Sequence, residues 1–510
     1  MLSLESLLSR GYFPKELPPP FSTRQFGQFI SRATTLPILP ANYSSSTSTH
    51  NLARTGSLRR KLGIPNPISY TKLASCVISN TTPLFGYLSR SKYSLTKPQI
   101  SATGRALDWK ANLNDRPLHR AGLRSCSKYI LQADVSRFYQ TIYTHSIPWA
   151  LYTKAIAKVN RSHALFGNEI DHLVQYAQDK QTLGIPIGPD TSLLISEIIL
   201  AAVDEELFIR IGERGFRYAD DYEFGFKTIA DADRGLGHVQ EVLSDYELAL
   251  NPSKTKIVKL PQTMESAAIS ELRGFRFRNN IKGQLDDITR FFDRAFVLSN
   301  EEPAESVLKY AISRISGKVI FDNWPHLENI LMQCCMSEPG ALELVLYKLL
   351  AYKSIGYSLN LGKIEEVFNE VIKQHAPQGH GSEVAWALWG LMVLNRPVSQ
   401  EAAPLAALMN DSVVAILMLD AHSKGLAPSA TFQKYQSCMT KKDLEDDMWL
   451  LAYQANYYNW LPSVGSADHV AIEPFFSFLK LNGISFYDSS LSTSFIPTVP
   501  PSWSSQRESV

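Results

Sequence analysis

No apolar run in this chain reaches the roughly 20 residues that a membrane-spanning helix needs, and no basic region precedes the short apolar patch of its start, MLSLESLLSRGYFPKELPPP. Neither a membrane span nor a secretory leader is expected, and the cytoplasm is the expected compartment. Cysteine is scarce. Cys76, Cys126, Cys334, Cys335 and Cys438 contain no CxxC pair and no paired spacing, which excludes a zinc ribbon or a disulfide framework and leaves them as small buried apolar side chains. Net charge is nearly absent too: +2 over 510 residues names no partner by itself. The 45% hydrophobic and 20% charged content is that of an ordinary globular protein. A chain this long divides into several domains, since single cores stop growing near roughly 250 to 300 residues.

The charge that is there is unevenly placed. From Arg54 to Lys128 there are 14 Lys or Arg against two acids, Asp108 and Asp115. Such a segment is either a solvated face or a phosphate-binding one; its position just before the acidic sites described next favours nucleic acid or nucleotide.

Organisation follows from composition and period. Pro40 to Ser57 is rich in Ser and Thr with no apolar period and is expected to be a mobile loop. From Leu58 to about Phe277, strand-like runs (KYILQADVSRFY, FRYADDYEFGF, ELRGFRF) mix with helical ones (TSLLISEIILAAVDEELFIRI, LGHVQEVLSDYELAL), an α+β pattern. Beyond about Asp286 strand signals nearly vanish. Ile364, Val367, Phe368, Val371 and Ile372 form an amphipathic stripe, and SEVAWALWGLMVLN and DSVVAILMLDAHSKG are apolar almost all round, as in helices packed on both sides. An all-α array follows, without a fixed sequence period. Trp386, Trp389, Trp449 and Trp460 belong to its core rather than to a base-stacking surface. The expected divisions are an N-terminal segment 1–57, an α+β unit 58–285, a helical repeat-like unit 286–490 and a disordered tail 491–510.

FRYADDYEFGF reads as a β-hairpin with Asp220 and Asp221 at its turn. Asp is also a good turn former, so alone the pair says little. A second strand, YILQADV, ends on Asp134, and an acid at the end of a buried strand is costly unless paired or bound to a cation. One and two carboxylates at two strand ends are the hard oxygen ligands that a pair of Mg²⁺ ions requires, so Asp134, Asp220 and Asp221 point to metal-dependent phosphoryl transfer. Glu223 is left out of this site. Asp204, Glu205 and Glu206 are expected on a solvated helix face, His145 as a structural residue and Phe138 in the core.

These stretches resemble the reverse transcriptase palm: YADD (Tyr218 to Asp221) its motif C and ADVSRFYQTI (Ala133 to Ile142) its motif A. RRKLGIPNP is similar to the fingers segment that meets the triphosphate, GIPIGPDTSLLISEIIL to motif B, LNPSKTKI to motif D and LRGF to the primer grip. The resemblance implies metal ligation by Asp134, Asp220, Asp221 and the Val135 backbone. It implies nucleotide contact by Arg60, Lys61, Gly188 and Lys254, a primer grip at Gly274 and Phe275, and two Mg²⁺ ions for which Mn²⁺ can substitute. Tyr139, five residues after Asp134, would exclude a 2′-hydroxyl and select deoxynucleotides; its other reading is a core aromatic.

GYFPKELPPPF and FYQTIYTHSIPWAL (Phe138 to Leu151) resemble, more narrowly, bacterial abortive-infection and defence-associated reverse transcriptases. That likeness implies a bacterial, cytoplasmic, homo-oligomeric enzyme of phage defence with a HEAT-like helical domain. It also implies DNA synthesis from deoxynucleoside triphosphates, primed from a protein tyrosine in some members, and either templated by a non-coding RNA or untemplated. Motif B departs from the family at large: Ile187 stands where a Gln would touch nucleotide or template, and Ile has no hydrogen-bonding group. The priming tyrosine is not identifiable among 22; Tyr12, Tyr43 and Tyr487 are expected to be accessible. The rival readings are an RNA-synthesising palm enzyme and an inactive nucleic-acid-binding scaffold.

Overall fold

The computed structural model describes residues 2–54, 58–109, 115–315 and 319–495. Among them, eight strands, β1 (Ser48–Ala53), β2 (Arg59–Ile64), β3 (Pro98–Ile100), β4 (Leu107–Trp109), β5 (Tyr129–Asp134), β6 (Gly215–Tyr218), β7 (Asp221–Phe226) and β8 (Lys256–Lys259), make three antiparallel sheets. β1 pairs with β2, β3 with β4, and the third sheet has the order β6-β7-β5-β8. Register in that sheet places Asp134 opposite Asp221, Ala133 opposite Tyr222 and Leu131 opposite Phe224. Partners directly opposite share a face, so Leu131, Ala133, Tyr222 and Phe224 form one apolar, buried face and the acids lie on the other. The first seven of the helices that matter below are α1 (Arg116–Arg124), α2 (Asp190–Ile211), α3 (Ile229–Asp245), α4 (Ala267–Gly274), α5 (Ile281–Glu301), α6 (Leu361–His375) and α7 (Gly381–Val393). α3 packs on β5 and β7 and against α2, covering the apolar face.

After β8 the described chain is helical. α5 is followed by helices at Val307–Arg314, Trp324–Ser337 and Leu342–Ser354, then α6, α7, α8 (Ser412–Ser423) and Trp449–Tyr457. α6 packs on α7, α7 on α8, and α8 on Trp449–Tyr457. Side chains of α7 are buried on every face, as its apolar composition requires; Trp386, Trp389 and Trp449 are all core, as expected. No helix among the described residues is long and apolar enough to cross a membrane.

Several expectations are corrected. The Ser/Thr-rich stretch is not wholly a loop, because β1 lies within it and is clamped on two sides. One side is β2; the other is the helical half, where His50 meets Asp411 at 2.8 Å and the Ala53 amide donates to Ser382 Oγ at 2.9 Å. Residues 55–57 lie outside the described ones. ELRGFRF is helix and loop rather than strand: Ser266 Oγ accepts from the Ile269 amide and starts α4 on two alanines. Tyr12, Tyr43 and Tyr487 are buried; Tyr12 stacks on Tyr70 with centroids 4.1 Å apart, and the Tyr487 hydroxyl donates to Asp420 at 2.7 Å. Cys126 is exposed, whereas Cys334 and Cys335 are core. The chain remains ordered past 491: Ser492 is fully buried and donates to Asp420 at 2.7 Å, and the rest of the expected tail, 496–510, lies outside the described residues.

Trp389, fully buried against Trp386 with centroids 5.4 Å apart, is expected to cost about 3–5 kcal/mol when replaced by Ala. Thermal unfolding of Trp389→Ala followed by circular dichroism checks this; an unchanged midpoint would show that the helical half does not depend on this core.

Candidate active site

The site begins with the end of β5, where Ile130, Leu131 and Ala133 are buried and Asp134 is only 6% exposed. Asp134's carbonyl accepts from the Asn251 amide at 2.8 Å, and the Val135 amide donates to the Asp220 carbonyl at 3.2 Å. This last bond ties the β6–β7 turn to the strand. The turn itself needs Ala219 at φ +53°, a left-handed value that is unfavourable for a residue with a Cβ. It is held from both sides: Arg217 Nη1 donates to the Ala219 carbonyl at 2.7 Å, and the Ala219 amide donates to Thr96 Oγ1 at 2.9 Å. The outcome is that Asp220 and Asp221 are set beside Asp134.

Burial and neighbouring charge raise the proton affinity of two of these acids, Asp220 and Asp221. Burial, with the Asp134 charge added, pushes Asp220 above the usual carboxylate range, while Lys254 and Arg60 oppose the shift. Asp221 is pushed up to about 6 by burial, against the pull of Arg116 and with the charges of Asp220 and Asp134 adding to it. The cations that touch the cluster are Lys254, whose Nζ lies 2.9 Å from Asp134 Oδ2, and Arg116, whose Nη2 lies 3.3 Å from Asp221 Oδ2. Hard oxygen donors carrying excess negative charge are the donor set that divalent cations take, so these residues fit the metal pair the sequence implies.

Around the acids, the other expected residues are placed as follows. Arg60 and Lys61 are adjacent on β2, so they point to opposite faces. Arg60 is half-buried and acts electrostatically on Asp220, and its guanidinium is brought down by burial. Lys61 is exposed. The half-buried Tyr139 accepts a hydrogen bond from Ser196 Oγ at 3.1 Å, feels the charges of Asp220 and Arg60, and is pushed up to about 12 by burial; Phe138 beside it is core. Gly188, at φ +129°, packs so closely on Pro14 that a Cβ there would lie 2.5 Å from its Cγ. The Gly188 carbonyl accepts from Arg105 Nη2 at 2.6 Å, and Arg105 Nε donates to Asp190 at 2.8 Å. The Ile187 carbonyl accepts from the Gly63 amide of β2 at 2.9 Å. Gly274 ends α4, and Phe275 packs on Phe291 of α5 at 5.3 Å, on the helical half. His145 is bonded to Asp171, a structural use.

Sequence reasoning missed two ion networks. Asp204, expected in solvent, is fully buried. It takes Arg217 Nη2 at 2.8 Å, the Tyr222 hydroxyl at 2.8 Å and Ser91 Oγ at 2.6 Å. Glu197, two helical turns earlier on the same face, takes Arg217 Nη2 at 2.7 Å. The legible signal was the seven-residue spacing of two acids in an otherwise apolar helix, opposite an Arg set between Phe216 and Tyr218. The second network uses three of the basic residues assigned above to phosphate. Arg116, Arg120 and Arg124, on one face of α1, converge on the buried Glu223 at 3.5, 2.6 and 3.6 Å.

Raised acids make the fold more stable when protonated, so their contribution is present at low pH and is lost as pH rises through the folded value. Without divalent cations, Asp221→Asn is therefore expected to raise the thermal midpoint above about pH 6 and to lose that gain below about pH 4. Calorimetry across this range is the check, and a pH-independent difference would refute the assignment.

Residues 55–277 match the family described as reverse transcriptase (RNA-dependent DNA polymerase). No curated protein matches the chain. Among solved structures, apo telomerase from Candida Tropicalis aligns at 11% identity over 78% of this chain and 68% of that chain. Its TM-score of 0.33 is too low to argue from. The family match spans the strands and turns that assemble the three acids, and residues 55–277 are a reverse transcriptase domain, the catalytic unit of an RNA-directed DNA polymerase.

Proposed function

We propose that the chain is a divalent-metal-dependent DNA polymerase that uses Mg²⁺, with Mn²⁺ as a substitute, and acts in bacterial antiphage defence. The observation that carries the catalytic part is the register of β5 and β7, which sets Asp134 opposite Asp221 with Asp220 tied to Val135 by a main-chain bond. Asp134, Asp220, Asp221 and the Val135 carbonyl would hold the ions. Bound there, they supply activation of a primer hydroxyl and neutralisation of the leaving pyrophosphate.

The chain's own residues do the rest. Arg60, on the face of β2 toward Asp220, presents a fixed positive charge to the triphosphate. Lys254 is 57% exposed on a flexible stem while bonded to Asp134, so it neutralises that acid and donates to the pyrophosphate as it departs. Tyr139, held by Ser196, closes the space a 2′-hydroxyl would need. The motif-B turn, fastened by Arg105, Pro14 and Gly63, supplies shape beneath the nascent pair, and Ile187 adds no side-chain hydrogen bond to it. That absence supports synthesis that is untemplated or only loosely dictated by an RNA template. The defence role, the bacterial cytoplasm and the homo-oligomer rest on the motif resemblance together with the helical half that follows the palm.

On priming, a specific observation favours one reading. All 22 tyrosines lie among the described residues, and each is buried or half-buried. In this conformation a nucleic-acid 3′-hydroxyl is the more available primer than a tyrosine.

Asp220→Ala combined with Asp221→Ala is expected to lower incorporation of labelled deoxynucleotide by at least about 100-fold and to remove protection against phage in a plaque assay. Retention of both would leave the scaffold reading standing. Tyr139→Ala is expected to erode the preference for deoxynucleotides over ribonucleotides by about 10-fold or more. An unaltered preference would return Tyr139 to the core-aromatic role. With wild-type protein, the product is expected to migrate free of the polypeptide after denaturation; label retained on a tyrosyl peptide by mass spectrometry would reverse the priming assignment.

A further inference from the structure

His375 is the last residue of α6, and His380 and Glu383 stand at and just inside the start of α7. Between them the chain makes a single tight turn, Ala376–Gln378, followed by Gly379 at φ +67°, a left-handed value open to glycine without steric cost. The turn folds both imidazoles and the carboxylate onto one spot. Nδ1 of His375 and Nδ1 of His380 are 2.8 Å apart, and each is 3.8 Å from Glu383 Oε1. Among the described residues these three make the group of His, Cys, Asp or Glu side chains whose ligand atoms all lie within 4.8 Å of one another.

Geometry and donor type agree. A tetrahedral dication with bonds of about 2.0–2.1 Å sets neighbouring ligand atoms about 3.3–3.4 Å apart, and the three separations here straddle that value. Two imidazoles and one carboxylate suit a borderline transition metal better than Mg²⁺ or Ca²⁺. Both histidines are half-buried. The side chains are 15% and 21% exposed against 3% for Glu383, which gives an ion a way in and water a fourth position.

We propose that His375, His380 and Glu383 bind one transition-metal dication of the zinc class through Nδ1, Nδ1 and Oε1. Arg59 of β2 is the competitor, since it bonds both oxygens of Glu383, with Nη2 at 2.8 Å from Oε2. It also donates from Nε to Asn51 Oδ1 at 3.1 Å and from Nη2 to the Asn51 carbonyl at 3.0 Å. With those partners it can release Oε1 to a metal and keep Oε2. The site therefore lies where the helical half grips the β1–β2 hairpin, one residue from Arg60.

The test uses the full chain, freed of metal by a chelator, held in excess Mg²⁺ to cover the catalytic acids, and titrated with Co²⁺ alone while visible absorption is recorded. One equivalent is expected to bind with the intense bands of four-coordinate cobalt and to be displaced by Zn²⁺. His375→Ala and His380→Ala are each expected to weaken binding more than about 10-fold, whereas His163→Ala, at an exposed histidine elsewhere, leaves it unchanged. His380→Gln replaces an alanine variant that does not fold. Failure of the wild type to take up an equivalent, or uptake unaltered by the His375 and His380 changes, overturns the proposal.

Discussion

Everything in the palm answers to one constraint, the repulsion among three carboxylates that the strand register forces together. Two unit charges about 4 Å apart repel by about 4 kcal/mol at the effective dielectric of a protein surface, a large fraction of the stability of a domain. The fold offsets it locally with Lys254 on Asp134 and Arg116 on Asp221, and it leaves proton affinity raised at Asp220 and Asp221. A cluster held in that state is a standing demand for cations. The same demand explains why acids could be kept at strand ends whose other face is wholly apolar.

Holding the turn in place falls to a buried ion group rather than to packing. Arg217 is fully enclosed, and although burial works against its charge, Asp204 and Glu197 more than offset that and raise its basicity. Such groups add little net stability over an apolar core, and removing one partner is costly. Their value here is directional, because a guanidinium with two carboxylates on its edges has one N–H of Nη1 left to aim at the Ala219 carbonyl. An aliphatic side chain could fill the space but could not hold a left-handed alanine. The buried network thus does for the turn before Asp220 and Asp221 what glycine does for the turn at Gly188.

Much of this was legible beforehand. Strand ends bearing Asp134, Asp220 and Asp221, the helical half and its tryptophan core could be read because period-2 and period-3.6 burial leaves a pattern of apolar residues. What escaped reading was polar and long-range. β1 carries Ser, Thr, His and Asn, and its partners Asp411 and Ser382 lie more than 300 residues away, so no local window contains them. Asp204 looked like surface because a charged residue betrays its burial only through its counter-ion. Tyr12, Tyr43 and Tyr487 looked accessible because their neighbours are Pro, Ser and Gly, whereas Tyr12 is covered by Tyr70 and Phe486 from opposite ends of the chain.

Arg59 and Arg60 are consecutive residues of one strand, and their side chains leave it in opposite directions. Arg59 is anchored in the helical half by Glu383, while Arg60 faces the acids of the palm. An arginine on a free hairpin would surrender backbone and rotamer freedom when it closed on a triphosphate, at roughly 1–2 kcal/mol for each residue ordered. Here that entropy has already been given up during folding. Under the proposed function, the charge that Arg60 would offer a nucleotide is therefore preorganised by its neighbour's anchor in the helical half.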